Sequence, residues 1–417
     1  MDATHFRATP YHIGGMLPGH QSAAVSLLAL LPAFILSGQE AEVGGRISGH
    51  VYRSESGEAV PNAVVTLMWP DFEKAVTVRA GQDGGYSFEG LDLQEQYLVA
   101  AWLGGLSPTF YPPYPGGPST PISVMNSVID FKRGSRLENI DLHLTRMAQI
   151  TQMNDDRLAA AYPNQRGNLD FRTGRFSADG QQFAFTTMGV YAGDPEQAWS
   201  YDLKLGRLDP ITGTAVKSEP TRIFDIEWAA DTLYLTSART DRPYFPDQKT
   251  RLGVTRGVTT PLSRLPAEVV TLFEQRERGE LAAGSFFFTL ERACHGCEWD
   301  VRVQLDGRKR RVLKVVSPDI VADSTRPILF YEMLGYLNAI GSFNLQTEQF
   351  RELPLPMGRG IDATELLAAT RVQRGFLIAY ATRDRCVPEL NPDGSPSWLH
   401  PSPRPKRICF ARFPDPR

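Results

Sequence analysis

The stretch from residue 176 to 208, FSADGQQFAFTTMGVYAGDPEQAWSYDLKLGRL, constrains the rest of the chain more than any other. Phe183, Phe185 and Thr187 alternate with Ala184 and Thr186, and Trp199, Tyr201 and Leu203 alternate with Ser200 and Asp202. Successive side chains of a strand point to opposite faces, so this period of two predicts two strands of an antiparallel sheet. Asp179-Gly180 and Leu205-Gly206 bracket the pair with residues that accept the positive φ of a tight turn. A further strand begins at Arg207.

Similar units recur downstream. Residues 224–228 with TLYLTSAR, RLGVTR and TPLSRL make a second, and SFFFTLER, WDVRVQL and RVLKVV a third. PILFYEM, AIGSFNL and FRELPL make a fourth, and GFLIAYATR with RICFARF a fifth that is one strand short. The turns at Gly206, Gly257, Gly307 and Thr347 recur at about 40 to 50 residues, the period of one propeller blade. The phrase FSADGQQFAF, followed by W-x-Y-D-L and then G-x-L, resembles the repeat of TolB-like and WD40-like β-propellers. That resemblance implies a propeller of about five blades over residues 169–417, a ring that buries both faces of every sheet and removes long edges. Chain upstream of Phe176 is expected to supply the strand missing from the fifth unit, with residues 149–153 as one candidate. Phe183, Phe185, Trp199, Trp228, Phe287 and Phe330 are expected to be buried between sheets.

Residues 44–146 read as a separate hairpin-rich domain. RISGHVYRSESGEAVPNAVVTLMW, AVTVRAGQDGGYSFEGL and QYLVAAWL alternate in the same way around turns at Ser56-Gly57 and Asp83-Gly84-Gly85, and the region closes on IDLHL. Gly49 and Val51, then Gly57, Val60, Pro61, Ala63, Val65 and Leu67, then Asp83, Gly84, Tyr86, Phe88, Gly90 and Leu91, then Tyr97 and Val99 form a pattern. It is similar to that of the carboxypeptidase regulatory-like, transthyretin-like β-sandwich. The resemblance implies an accessory module of about 100 residues with no catalytic residues of its own. Inside it, LSPTFYPPYPGGPSTP sets Phe110, Tyr111 and Tyr114 among prolines that cannot pair in a central strand. Such a stiff surface segment presents aromatic rings either to a ligand, a sugar or a peptide, or to the edge of the sandwich. Residues 147–168 are read as a linker with one short helix before Pro163.

The N-terminus reads as a signal-like segment, residues 1–38. AAVSLLALLPAFIL, residues 23–36, is too short to span a bilayer and suits the apolar region of a secretory signal, so no membrane span is expected after processing. Four cysteines fit an oxidising compartment, secreted or periplasmic. Cys386 and Cys409, at the end of one strand and within the next, are expected to face each other as a disulfide. Cys294 and Cys297 in C-H-G-C are read as a local disulfide. Zinc needs a second ligand pair, haem attachment needs His where Glu298 stands, and a thioredoxin-type pair should open a helix.

The formal net charge of −3 leaves no electrostatic footprint for nucleic acid. No nucleophile elbow, His-Glu-x-x-His, phosphate loop or cofactor fingerprint occurs, so no catalytic residue, metal or cofactor is assigned. An enzyme would have to use carboxylates, and Asp170, Asp225, Glu227, Asp319 and Glu365 fall near the first strands of the repeats. Two carboxyls at about 5 to 10 Å act as an acid and base pair in glycosidases, some of which are five-bladed. Acidic residues at strand ends are also ordinary turn formers, and the repeat phrasing is not that of those glycosidases. The sequence therefore predicts an exported, all-β, non-enzymatic protein that binds a protein or glycan partner at the cell envelope. A glycan-hydrolysing propeller is the alternative.

Overall fold

The computed structural model describes residues 44–70, 74–107, 109–111, 128–162, 169–188, 196–211, 221–239, 250–278, 280–283, 285–292, 299–305, 308–315, 320–322, 326–333, 339–353, 355, 364–373, 375–383, 386 and 406–414. Among them the chain is all-β apart from two short α-helices and a 3-10 turn.

Nine strands come first: β1 (Gly45–Arg53), β2 (Val64–Met68), β3 (Ala75–Arg79), β4 (Gly85–Leu91), β5 (Leu98–Trp102), β6 (Leu106–Ser107), β7 (Thr109–Tyr111), β8 (Arg136–Leu137) and β9 (Leu142–Arg146). They form two sheets, one ordered β4-β1-β9-β6 with β8 beside β1, the other β3-β2-β5-β7. Alternation decides their packing. Ile47 and Val51 on β1, Val65 and Leu67 on β2, and Val99 and Ala101 on β5 turn to one shared apolar core. Gly49 is required on β1, because a Cβ there would stand 2.2 Å from the carbonyl oxygen of Ile140. Tyr86 donates its hydroxyl to that same carbonyl, and burial pushes its pKa well above the usual phenol value.

The remaining strands make five four-stranded antiparallel sheets. Sheet I holds β11 (Asp170–Phe176), β12 (Gln182–Met188), β13 (Gln197–Asp202) and β14 (Arg207–Pro210). Sheet II holds β15 (Thr221–Ala229), β16 (Thr232–Arg239), β17 (Thr250–Thr255) and β18 (Val258–Pro261). Sheet III holds β19 (Glu280–Ala283), β20 (Phe286–Arg292), β21 (Trp299–Leu305) and β22 (Arg308–Val315), and sheet IV β23 (Ile320–Ala322), β24 (Ile328–Met333), β25 (Ala339–Asn344) and β26 (Gln349–Glu352). Sheet V holds β27 (Thr364–Val372), β28 (Gly375–Thr382) and β29 (Arg407–Pro414), and its fourth strand is β10 (Gln149–Gln152), paired antiparallel with β29. The stretch upstream of Phe176 therefore supplies the missing strand, and helix α1 (Asp156–Ala161) follows it. Helix α2 (Ala267–Glu277) lies between sheets II and III in sequence and touches β15 and β19.

Sheets I, IV and V are buried on both faces, and sheets II and III each share one face with a neighbour. On sheet I, Phe183, Phe185, Trp199 and Tyr201 join Leu377, Ala379, Ile408 and Phe410 of sheet V. The alternate residues Ala184 and Ala198 join Ile226, Leu233 and Leu235 of sheet II. Sheets III and IV share a cluster around Phe288, Leu329 and Phe343, and sheets IV and V another around Phe330, Phe376 and Ile378. Strand β11 packs against β15, β23 against β27, and β27 against β11, so the first and last sheets are neighbours.

Phe183, Phe185, Trp199 and Phe330 are buried as expected, and Trp228 is half-buried against the cluster of sheets I and II. Phe287 is not. It is 62% exposed, and Phe288 occupies the core position instead. Three consecutive phenylalanines carry no alternation to fix the register, and a one-residue slip reverses every side chain.

Candidate functional site

Meander order sorts the connections of each sheet onto two faces. The turns from first to second strand and from third to fourth are short and lie together on one face, here the hairpin face. The second-to-third connections and those between sheets emerge on the other, and many are long, such as residues 240–249 and 383–406. Three of the inner strands, β11, β15 and β27, run from this long-connection face to the hairpin face, each broken by a β-bulge: between Arg172 and Gly174, Ile223 and Asp225, and Leu366 and Ala368. A bulge re-aims the side chains that follow it.

Two of the bulges are braced by a buried glutamate of the preceding sheet. The Ile223 N–H donates to Glu196 Oε2 at 2.8 Å, and the Leu366 N–H to Glu332 Oε1 at 2.6 Å. Each brace sits one residue before the bulged position. The repeat of this contact in sheets I and IV marks it as part of how sheets are joined.

The inner-strand carboxylates gather in two groups, each with its own cations. At the start of β11 and β27, Asp170 and Glu365 both accept from Lys406 Nζ, at 2.7 Å for Asp170, and the lysine side chain is 9% exposed. Burial opposes the Lys406 charge, but the hydrogen bonds it donates to the two carboxylates outweigh that and raise its pKa above the ordinary value. Further along β15, Glu227 accepts from Arg276 of α2, with the Arg175 Nε of β11 at 3.5 Å. Arg276 also donates to the Ile226 carbonyl at 3.3 Å, and the Trp228 indole N–H donates to the Arg175 carbonyl at the same distance. Burial and the neighbouring Arg175 guanidinium push Arg276 down to about 9, against the opposing pull of Asp225. Asp225 draws Arg175 in the same sense, against burial.

The four described carboxylates named from sequence thus all lie on inner strands, and Asp319 lies outside the described residues. Their partners Lys406, Arg175 and Arg276, and the braces Glu196 and Glu332, had no sequence signal. Lys406 stands in a Pro-rich connection, and Arg276 on a helix whose pattern the strand reading passed over.

Cys386 and Cys409 are joined as a disulfide that ties Cys386, four residues past the end of β28, to β29. Cys294, Cys297 and Tyr114 lie outside the described residues. Phe110 falls on β7, and Tyr111 beside it packs, half-buried, against the sandwich core. No group of three or more His, Cys, Asp or Glu is arranged to hold a metal among the described residues, and no described helix is long and apolar enough to cross a membrane.

No family model matches the chain, and no curated protein matches it. Among solved structures, the chain is similar to the AtxE2 isopeptidase at 11% identity and a TM-score of 0.31, covering 90% of this chain and 52% of that one. TolB from Acinetobacter baumannii gives 12% identity and a TM-score of 0.23 over 73% of this chain and 67% of that one. A DUF3823 family protein from Bacteroides ovatus gives 11% identity and a TM-score of 0.17 over 66% and 98%. The chain spans about half the length of the isopeptidase.

Proposed function

We propose that this is an exported, non-enzymatic binding or scaffolding protein of the cell envelope. In this reading residues 44–146 are a carboxypeptidase regulatory-like sandwich, and the five sheets form a closed TolB-like propeller whose long-connection face meets a protein or glycan partner. The observation that carries it is the pairing of the inner-strand carboxylates. An acid catalyst needs a carboxyl held neutral near working pH, and a nucleophile or base needs one open to substrate. Asp170 and Glu365 instead share the Lys406 ammonium, which stands between them, and Glu227 is held by Arg276. Such pairs fix geometry between sheets. The strand β10 that completes sheet V and the contact of β27 with β11 support a closed ring, and the Cys386–Cys409 disulfide supports an oxidising compartment. Long connections gathered on one face of a rigid scaffold are where binding residues concentrate. Phe110, Tyr111 and Tyr114 are a second contact region on the sandwich.

The test is hydrolysis. The full chain, incubated with chromogenic glycosides and polysaccharides, is expected to give no turnover, while glycan-array or envelope-protein binding survives Asp170→Asn and Glu365→Gln. Turnover that those two substitutions abolish would establish the glycan-hydrolysing alternative.

A further inference from the structure

The hairpin face carries a concavity that, among the described residues, meets the inner-strand ion pairs only through Trp228, whose indole N–H donates to the Arg175 carbonyl. Sheets I and II diverge outward, and between them lies a cleft of about 820 Å³, within the size range of ligand pockets. Its floor is the end of the apolar cluster the two sheets share: Ile211, Leu233 and Val254, with half-buried Trp228 beside them. Its walls are charged, with Asp179, Asp202 and Asp209 from sheet I and Asp231 from the turn of sheet II, against Arg207 and Arg256.

These charges do not cancel. The Arg207 Nε donates to Asp209 at 2.6 Å, and Asp209 also takes the Arg157 guanidinium, so that carboxylate is already matched. Asp179 accepts from the Ser177 hydroxyl and the Gln181 N–H, and Asp202 from the Lys204 and Leu205 N–H groups and the Gln182 amide. Every one of those donors is neutral. Both carboxylates are held in place with their negative charge intact, and Asp202, paired across the strands with Arg207, shares that guanidinium with Asp209. Asp231 adds a third charge on the facing wall.

We propose that this cleft binds an extended basic peptide. An apolar floor under a rim of four carboxylates and two guanidinium groups suits a lysine side chain, whose methylene stem covers apolar surface while its ammonium meets the excess negative charge. The Trp228 ring adds a surface a cation favours. The binding lies on the face opposite the long connections, so it stands or falls independently of the role proposed for them.

Pentalysine titrated into the full chain, followed by calorimetry and by tryptophan fluorescence assigned with Trp228→Phe, tests the proposal. Saturable binding is expected, weakening as salt is raised and falling about tenfold or more in Asp231→Lys, an exposed turn position. Arg256→Glu should strengthen it, a gain that loss of folding cannot mimic. Pentaglutamate bound in preference, spermidine bound as tightly as pentalysine, or pentalysine affinity indifferent to both substitutions would overturn it.

Discussion

The β1 sheet of the sandwich and sheet V of the array solve the burial problem differently. Strand β1 of the sandwich alternates buried and half-buried residues along its length, because its sheet has one core to serve. Strand β28 of the array is buried at every residue, because its sheet stands between two others. The outer face of the β1 sheet can therefore carry polar residues at no cost, whereas sheet V has only its ends and inner strand left for them, and β2 and β5 of the facing sandwich sheet are buried at every residue as β28 is. That is where Lys406, Arg175, Glu196 and Glu332 are found, with Arg276 reaching Glu227 from helix α2. Polar groups placed so deep need partners, and among the described residues the interlocked ion pairs lie in the array.

The comparison is broken most easily through the aromatic cluster between the first and last sheets. Phe410 stacks on Tyr201, with ring centroids 5.4 Å apart, and meets Phe183 edge-on. Phe410→Ala should cost about 3–5 kcal/mol, the usual range for a buried phenylalanine. In denaturant the loss should fall on a transition reported by the array, leaving that of the sandwich in place. Gly49→Ala is the reciprocal probe, since its methyl must displace the Ile140 carbonyl and so should move the sandwich transition alone. If both substitutions shift one common transition, the two regions are a single cooperative unit and the contrast fails.

The disulfide comes next. Cys386 and Cys409 are 23 residues apart, and a loop of that size is worth about 3 kcal/mol in the chain-entropy account. Reduction, or Cys386→Ser with Cys409→Ser, should lower the array midpoint correspondingly. An unchanged midpoint after verified reduction would show that strand pairing of β28 with β29 already fixes the segment.

How much of this was legible depends on the residue. The pattern of Phe183, Phe185, Trp199 and Tyr201 announced its strands because large and small side chains alternate there, and the alternation reports two different neighbours. The inner strands β19, β23 and β27 have no phrase of their own among the repeats read from sequence, although Asp319 and Glu365 mark the places of the last two, and the reasons differ. Glu280–Ala283 and Ile320–Ala322 are too short to show a period, and β27 carries a bulge at Leu367 that breaks its period in the middle. The carboxylates Asp170, Asp225, Glu227 and Glu365 were placed correctly by position in the repeat. Their partners were not, because Lys406 and Asp170 are separated by 236 residues and nothing local couples them.

Lys406 sharpens the contrast through pH. Its folded pKa is raised, so the stability it contributes is fully present below the unfolded value of 10.5 and is lost as pH climbs through the folded value. Lys406→Met leaves two carboxylates without their cation and should cost about 2 kcal/mol near neutrality, the scale of hydrogen bonds to charged groups. Above the folded value the difference from the wild type should shrink. A deficit that stays constant into that alkaline range would mean that packing of the lysine stem, and not its charge, holds β11 to β27.

The smallest effect expected is at the brace. Glu332 accepts from the Leu366 N–H just before the bulge of β27, and the Glu196 contact with Ile223 repeats it two sheets away from sheet IV in the array. Glu332→Gln keeps an oxygen acceptor but removes the charge, so the bond falls from the charge-assisted to the neutral class, a loss of about 1 kcal/mol. Glu332→Ala removes the acceptor and leaves a buried N–H unmatched, about 1–3 kcal/mol. The ordering is the diagnostic. If the brace serves to fix the bulge, hydrogen exchange at the Leu366 amide should accelerate modestly in Glu332→Gln and far more in Glu332→Ala, with the sandwich amides unchanged. Equal acceleration in the two variants would mean that the carboxylate charge itself, acting on the ion pairs of the inner strands, is what the position supplies.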